Sequence, residues 1–125
     1  MEAMTMLKVA AALFALSAAG GLTMAFIRVG SKQNPPAWLA MGHGLMAASG
    51  LTLLIYANFA ATVPAFALYA LCLFLVAALG GLFLNLRYQW RNEPLPIGLM
   101  VGHALLAVVG FALLLVVVFG SPASA

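Results

Sequence analysis

The chain has 125 residues, 66% of them hydrophobic and only 6% charged, with a formal net charge of +3. A soluble globular domain carries about a quarter charged residues, so this composition excludes that class and points to a single integral membrane domain over residues 1–125. The positive balance needs no nucleic-acid partner, because four of the five basic residues sit between apolar stretches, where a membrane anchor places them.

A hydrocarbon core of about 30 Å takes about 20 apolar residues of helix, and four stretches qualify. The first, about 7–27, opens on Lys8 and could pass for a signal peptide. Its residues 10–22 match the internal residues 70–82, so it reads as a retained helix. Arg28 and Lys32 lie in the connection to the second stretch, about 37–60, which Pro35 and Pro36 introduce. Pro64 introduces the third, about 65–86, which contains the lone Cys72; one cysteine excludes an intramolecular disulfide. Arg87, Arg91 and Glu93 precede the fourth, about 96–119, which follows Pro94 and Pro96, and residues 120–125 read as a short tail. Proline suits these starts because its missing N–H lies in the first turn, where no helical partner exists. The basic residues place loops 28–36 and 87–95 in the cytoplasm and both termini outside, with the bacterial inner (plasma) membrane as the expected location. Trp38, Tyr88 and Trp90 share that border, as an aromatic belt does.

The chain matches itself at an offset of 60. From residue 10 to 59 there are 17 identities in 50 positions without a gap, among them Gly20/Gly80, Gly21/Gly81, Pro36/Pro96, Gly42/Gly102, His43/His103 and Gly50/Gly110. The expected fold is therefore an all-α, polytopic membrane four-helix bundle. It consists of two parallel, tandem helical-hairpin repeats, 7–60 and 65–119, related by a pseudo-two-fold axis along the membrane normal. Ser17-x-x-x-Gly21 and Ala77-x-x-x-Gly81 read as close helix packing.

His43 and His103, the only histidines, are expected at one depth in the cytoplasmic half, facing each other across the bundle axis. Gly42 and Gly102 precede them; Ala47, Gly50 and Ala107, Gly110 follow at helical spacing and leave a side-chain-free slot of the kind a flat macrocycle would need. Haem iron accepts two axial nitrogens from opposite sides. Arg28 and Arg87 lie at the nearer interface, where anionic propionates would point.

On these two Gly-His pairs and four helices the chain resembles the small membrane cytochromes of b type. The resemblance implies electron transfer and haem b held by histidines on different helices. Familiar two-haem members carry four histidine ligands; two histidines set a ceiling of one bis-histidine haem. With both axial positions filled and no acid/base pair in the spans, no stand-alone enzyme is expected. The expected partner, beyond the lipid bilayer, is a redox enzyme or larger membrane complex, or a second copy in a homo-oligomer. The alternatives are an accessory subunit binding lipid or a chlorophyll-type pigment, a copper site drawing on Met24, Met41, Met46 and Met100, histidines acting as interhelical glue, or a small transporter. Asn85 is a further candidate partner for a propionate or a histidine Nδ1.

Overall fold

A computed structural model describes residues 1–120. Residues 121–125, most of the expected tail, lie outside the described residues. The chain forms α1 (Ala3–Ser31), α2 (Ala37–Ala60), α3 (Ala65–Leu84), a π-helical turn (Asn85–Gln89) and α4 (Ile97–Gly120). No strand occurs among the described residues. All four helices are long and apolar enough to cross a membrane.

Proline sets three of the four starts. Pro36 and Pro64 are the extended residues just before α2 and α3. The Pro36 carbonyl accepts from the N–H groups of Leu39 and Ala40, that of Pro64 from Ala67, and that of Pro96 from Met100. Proline has no N–H to leave unpaired, yet its carbonyl takes the first helical bond. α1 extends beyond the apolar stretch at both ends. Its 29 residues measure about 43 Å, more than the hydrocarbon requires, because nothing interrupts the helix until Lys32 turns left-handed at φ 60°. The apolar run marks the spanning part of a helix, not its ends.

α1 packs along α2 and α3 along α4, while α1 with α4 and α2 with α3 close the ring. α1 and α3 therefore lie on one diagonal, α2 and α4 on the other. The core centres on Leu7, Ala10, Phe14, Leu54, Ala70, Phe74 and Leu114. Phe14 and Phe74 stack across the α1–α3 diagonal, ring centres 3.8 Å apart and planes 2° from parallel. Around this core the large apolar side chains face outward, Leu16, Leu22, Phe26, Leu79, Val108 and Phe119 among them. Such a surface suits a lipid bilayer.

The two charged connections meet at one end of the bundle, so α1 and α3 run in the same direction. Arg28 Nε donates to the Leu95 carbonyl (2.9 Å), Asn34 Nδ2 to that of Glu93 (2.6 Å), and Gln89 Nε2 to that of Pro35 (2.7 Å). The Leu95 N–H returns a bond to Asn34 Oδ1 at 2.9 Å. Trp38 and Trp90 are exposed at this basic end.

Candidate functional site

His43 is the seventh residue of α2 and His103 the seventh of α4. Each therefore lies about 9 Å in from its helix start, at the basic end. Their ring centres are 6.1 Å apart across the α2–α4 diagonal, with planes at 73°.

Each ring is anchored by the helix preceding its own. His43 Nδ1 lies 2.8 Å from the Ser17 carbonyl oxygen on α1, and His103 Nδ1 lies 2.8 Å from the Ala77 carbonyl on α3. A carbonyl only accepts, so in both rings Nδ1 carries the proton and donates. The Nε2 lone pair of each neutral ring is thereby left for another partner. Both carbonyls occur 26 residues before their histidine. Ser17 adds a second contact: its Oγ lies 3.0 Å from His43 Nδ1, and its hydroxyl donates to the His43 carbonyl at 3.1 Å. The corresponding Ala77 has no such group.

Glycines make room for the rings. A Cβ on Gly21 would stand 3.1 Å from His43 Cε1, and one on Gly81 only 2.9 Å from His103 Cε1. Gly20 and Gly80 lie one step back, at 3.7 Å and 3.9 Å from the same two side chains. The paired glycines of α1 and α3 thus border the two imidazoles. Sequence reasoning reads them as helix-packing residues and misses this role, as it misses Ser17. The signal for the glycines was present: they repeat at the same offset of 60 as the histidines.

The other expected site residues are placed differently. Gly50 and Gly110 are buried in their own hairpins, where a Cβ would meet Phe14 at 3.2 Å and Leu73 at 3.3 Å respectively. The room beyond each histidine is thus taken by side chains of α1 and α3, because the Phe14–Phe74 stack fills the middle of the bundle. Ala47 and Ala107 are half-buried, Ala107 against the core, while Gly42 and Gly102 have open space where a Cβ would stand. Arg28 is occupied with the Leu95 carbonyl. Arg87 lies on the outer face of the π turn that follows α3, where it pairs with Glu93 at 2.6 Å. Neither arginine is brought against the histidines by any described contact. Asn85 opens the π turn, and the histidine Nδ1 groups bond carbonyls instead. Met41 and Met46 are exposed, turned away from the bundle axis. No group of three or more His, Cys, Asp or Glu suited to a metal exists among the described residues. Thr23, Ser49 and Thr52 bond carbonyls of their own helices, four residues back.

The donor set can be tested against a bis-histidine haem. Two in-line metal–nitrogen bonds of about 2 Å, plus the distance from each nitrogen to its ring centre, set two axial imidazoles roughly 6.3 Å apart, centre to centre. The observed 6.1 Å agrees. Metal-binding histidines regularly donate their second N–H to a carbonyl, which fixes tautomer and orientation. The glycine pairs bordering the rings sit on α1 and α3, the helices that would flank a plane lying between α2 and α4. The two histidine donors therefore suit such a group, while the room expected for its ring beside Gly50 and Gly110 is filled by Phe14, Leu73 and Phe74. The architecture is that of a four-helix bundle whose helices are long and apolar enough to cross a membrane; no family model matches the sequence, and no curated protein or solved structure matches it.

Proposed function

We propose that the chain is a membrane electron carrier of b-cytochrome type, with one haem held by His43 and His103 between α2 and α4. A single observation carries this reading: the two imidazole centres lie 6.1 Å apart across the bundle, and each ring has its Nδ1 bonded to a neighbouring carbonyl at 2.8 Å. Interhelical glue requires only the Nδ1 bonds, and an edge-to-face ring contact also falls at this separation, so haem binding itself separates the two readings. Haem, when bound, supplies a one-electron couple. The protein's own part is to hold both rings with Nδ1 donating and Nε2 left for a ligand, through Ser17, Gly21, Ala77 and Gly81, and to exclude water on one side with the Phe14–Phe74 stack.

We further infer that residues 7–60 and 65–119 are tandem copies related by a pseudo-two-fold axis along the membrane normal. The support is the gapless match at offset 60 together with the two carbonyl–histidine bonds, which span the same 26 residues. Loops 28–36 and 87–95 then face the cytoplasm of a bacterial inner membrane, by the positive-inside rule. The carrier's electrons are then exchanged with a partner redox enzyme or complex.

The test is an absorption spectrum of the chain purified in mild detergent, oxidised and then dithionite-reduced, with His43→Ala and His103→Ala beside it. Sharp low-spin bands at one haem per chain, lost in either variant, are expected. Folded protein that stays colourless when supplied with haem would overturn the reading and leave an accessory subunit.

A further inference from the structure

We propose that the outer face of α3 at the basic end is a binding site for an acidic phospholipid. A shallow, open depression of about 330 Å³ lies there, lined by Leu79, Leu82, Phe83, Leu86, Arg87 and Arg91. The four apolar residues recur at helical spacing and are each more than half exposed, from 52% at Leu86 to 68% at Leu79. Alone they would be an ordinary lipid-facing stripe. What distinguishes the depression is that two arginines continue the stripe at the interface.

The π turn explains how they do so. In a regular α-helix, residues 83, 87 and 91 drift steadily around the axis. Here the backbone widens, the Trp90 N–H bonding the Asn85 carbonyl five residues back at 2.7 Å, before Asn92 turns left-handed at φ 53° and the Glu93 N–H closes the end on the Tyr88 carbonyl at 2.9 Å. A wider turn compensates the drift and keeps Phe83, Arg87 and Arg91 along one depression.

Charge identifies the occupant. Arg87 pairs with the half-exposed Glu93 and lies 5.1 Å from the Tyr88 ring centre. Arg91 has no hydrogen-bond or ion-pair partner among the described residues. The pair of arginines less Glu93 leaves one positive charge, which matches the single negative charge of a phosphodiester headgroup. The stripe from Leu79 to Leu86 offers an acyl chain an apolar track directly below it. A zwitterionic lipid would bring its own ammonium towards Arg91 and lose the advantage. The corresponding positions on α1 are Ala19, Leu22, Thr23, Phe26, Ile27 and Ser31, with no charge, and α1 remains α-helical there. The depression is thus a property of α3 and not of membrane anchoring in general.

The experiment is native mass spectrometry of the full chain released from vesicles containing equal phosphatidylglycerol and phosphatidylcholine of identical acyl chains. Wild type is expected to retain phosphatidylglycerol preferentially. Arg91→Gln should lower that preference about fivefold, and Arg87→Gln/Arg91→Gln further, since each arginine near an anionic surface contributes about 1 kcal/mol. Arg91→Lys should keep most of it, and Lys8→Gln, at the opposite end, should leave it unchanged. An unaltered preference in Arg91→Gln, or an equal loss in Lys8→Gln, overturns the site. So does displacement of the retained lipid by inorganic phosphate, which would show that the headgroup alone is bound. Each variant's helix content by circular dichroism confirms that it is folded.

Discussion

Adding one methyl group at four glycines should produce a steeply graded response. Carbon atoms reach ordinary contact at about 3.5 Å. A Cβ at residue 81 stands 2.9 Å from His103 Cε1, about 0.6 Å too close. At residue 21 the nearest His43 atom is 3.1 Å away, about 0.4 Å too close. Both are far ends of side chains, so the rings give way before the helices do. His43 Nδ1 can retreat from 2.8 Å to about 3.2 Å and still be bonded, whereas His103 Nδ1 would reach about 3.4 Å, outside the range. At Gly20 and Gly80 the contacts of 3.7 Å and 3.9 Å already leave room.

Overpacking costs roughly 1–3 kcal/mol, and a lost interhelical hydrogen bond in a membrane about 0.6. Replacing a helical glycine by alanine returns up to about 1 kcal/mol. Gly81→Ala should therefore destabilise the bundle by about 1–2 kcal/mol, and Gly21→Ala should come out near zero. Gly20→Ala and Gly80→Ala should be neutral or slightly stabilising. Sodium dodecyl sulfate titration followed by circular dichroism measures the ranking. Nitrogen-15 spectra of labelled histidine show whether the His103 Nδ1–H signal moves alone in Gly81→Ala. If Gly80→Ala perturbs His103 as much as Gly81→Ala does, the contact geometry behind this reasoning is wrong.

Ser17→Ala should weaken the bundle by about 0.5–1.5 kcal/mol and shift only the His43 Nδ1 signal, while Ala77→Ser should move only that of His103; the same titration and spectra read both. Phe14→Ala should cost roughly 3–5 kcal/mol, because it vacates half of a 3.8 Å stack in the buried core, and Phe14→Leu clearly less, as the titration midpoint will show. Asn34→Ala removes two bonds that join the basic loops and should make the 87–95 connection cleave faster in limited proteolysis, with little change in midpoint.

Much of the fold is written in one-dimensional pattern. Four apolar stretches and their prolines mark the helices, and the single depth of the two histidines follows from their equal distance behind Pro36 and Pro96. The neighbours of each residue are less accessible, because small residues announce close approach without saying what approaches. Gly50 and Gly110 look like open space beside a histidine along α2 and α4; in three dimensions they receive Phe14 and the Leu73–Phe74 segment. Gly21 and Gly81 look like helix-packing residues, yet they border the imidazoles. The Ser17 contact joins residues 26 apart through a turn whose length sets the level at which α1 and α2 meet. The π turn has no periodic signature, since it adds one residue to a turn of an otherwise regular apolar helix. Arg28 and Arg87 are marked by charge as interfacial, but their partners depend on loop conformation.

The two diagonals of the bundle separate what orients each histidine from what spaces the pair. Orientation is internal to a hairpin: α1 supplies the oxygens and glycine that hold His43, and α3 those that hold His103. Spacing is a property of the two hairpins together, and the Phe14–Phe74 stack crosses the α1–α3 diagonal about one turn from the carbonyls that anchor the rings. A substitution in the stack should thus alter the 6.1 Å separation while both Nδ1 bonds persist; one at Gly81 should move a single ring within its hairpin. Histidines that serve only as glue need the orientation and are indifferent to the spacing. A bis-imidazole site needs both, since two in-line bonds tolerate little change in the distance between their donors. Phe14→Leu is therefore the variant that separates the two uses of the same residues. If it keeps both Nδ1 signals and the folded bundle yet loses the low-spin spectrum, the pair acts as a pair.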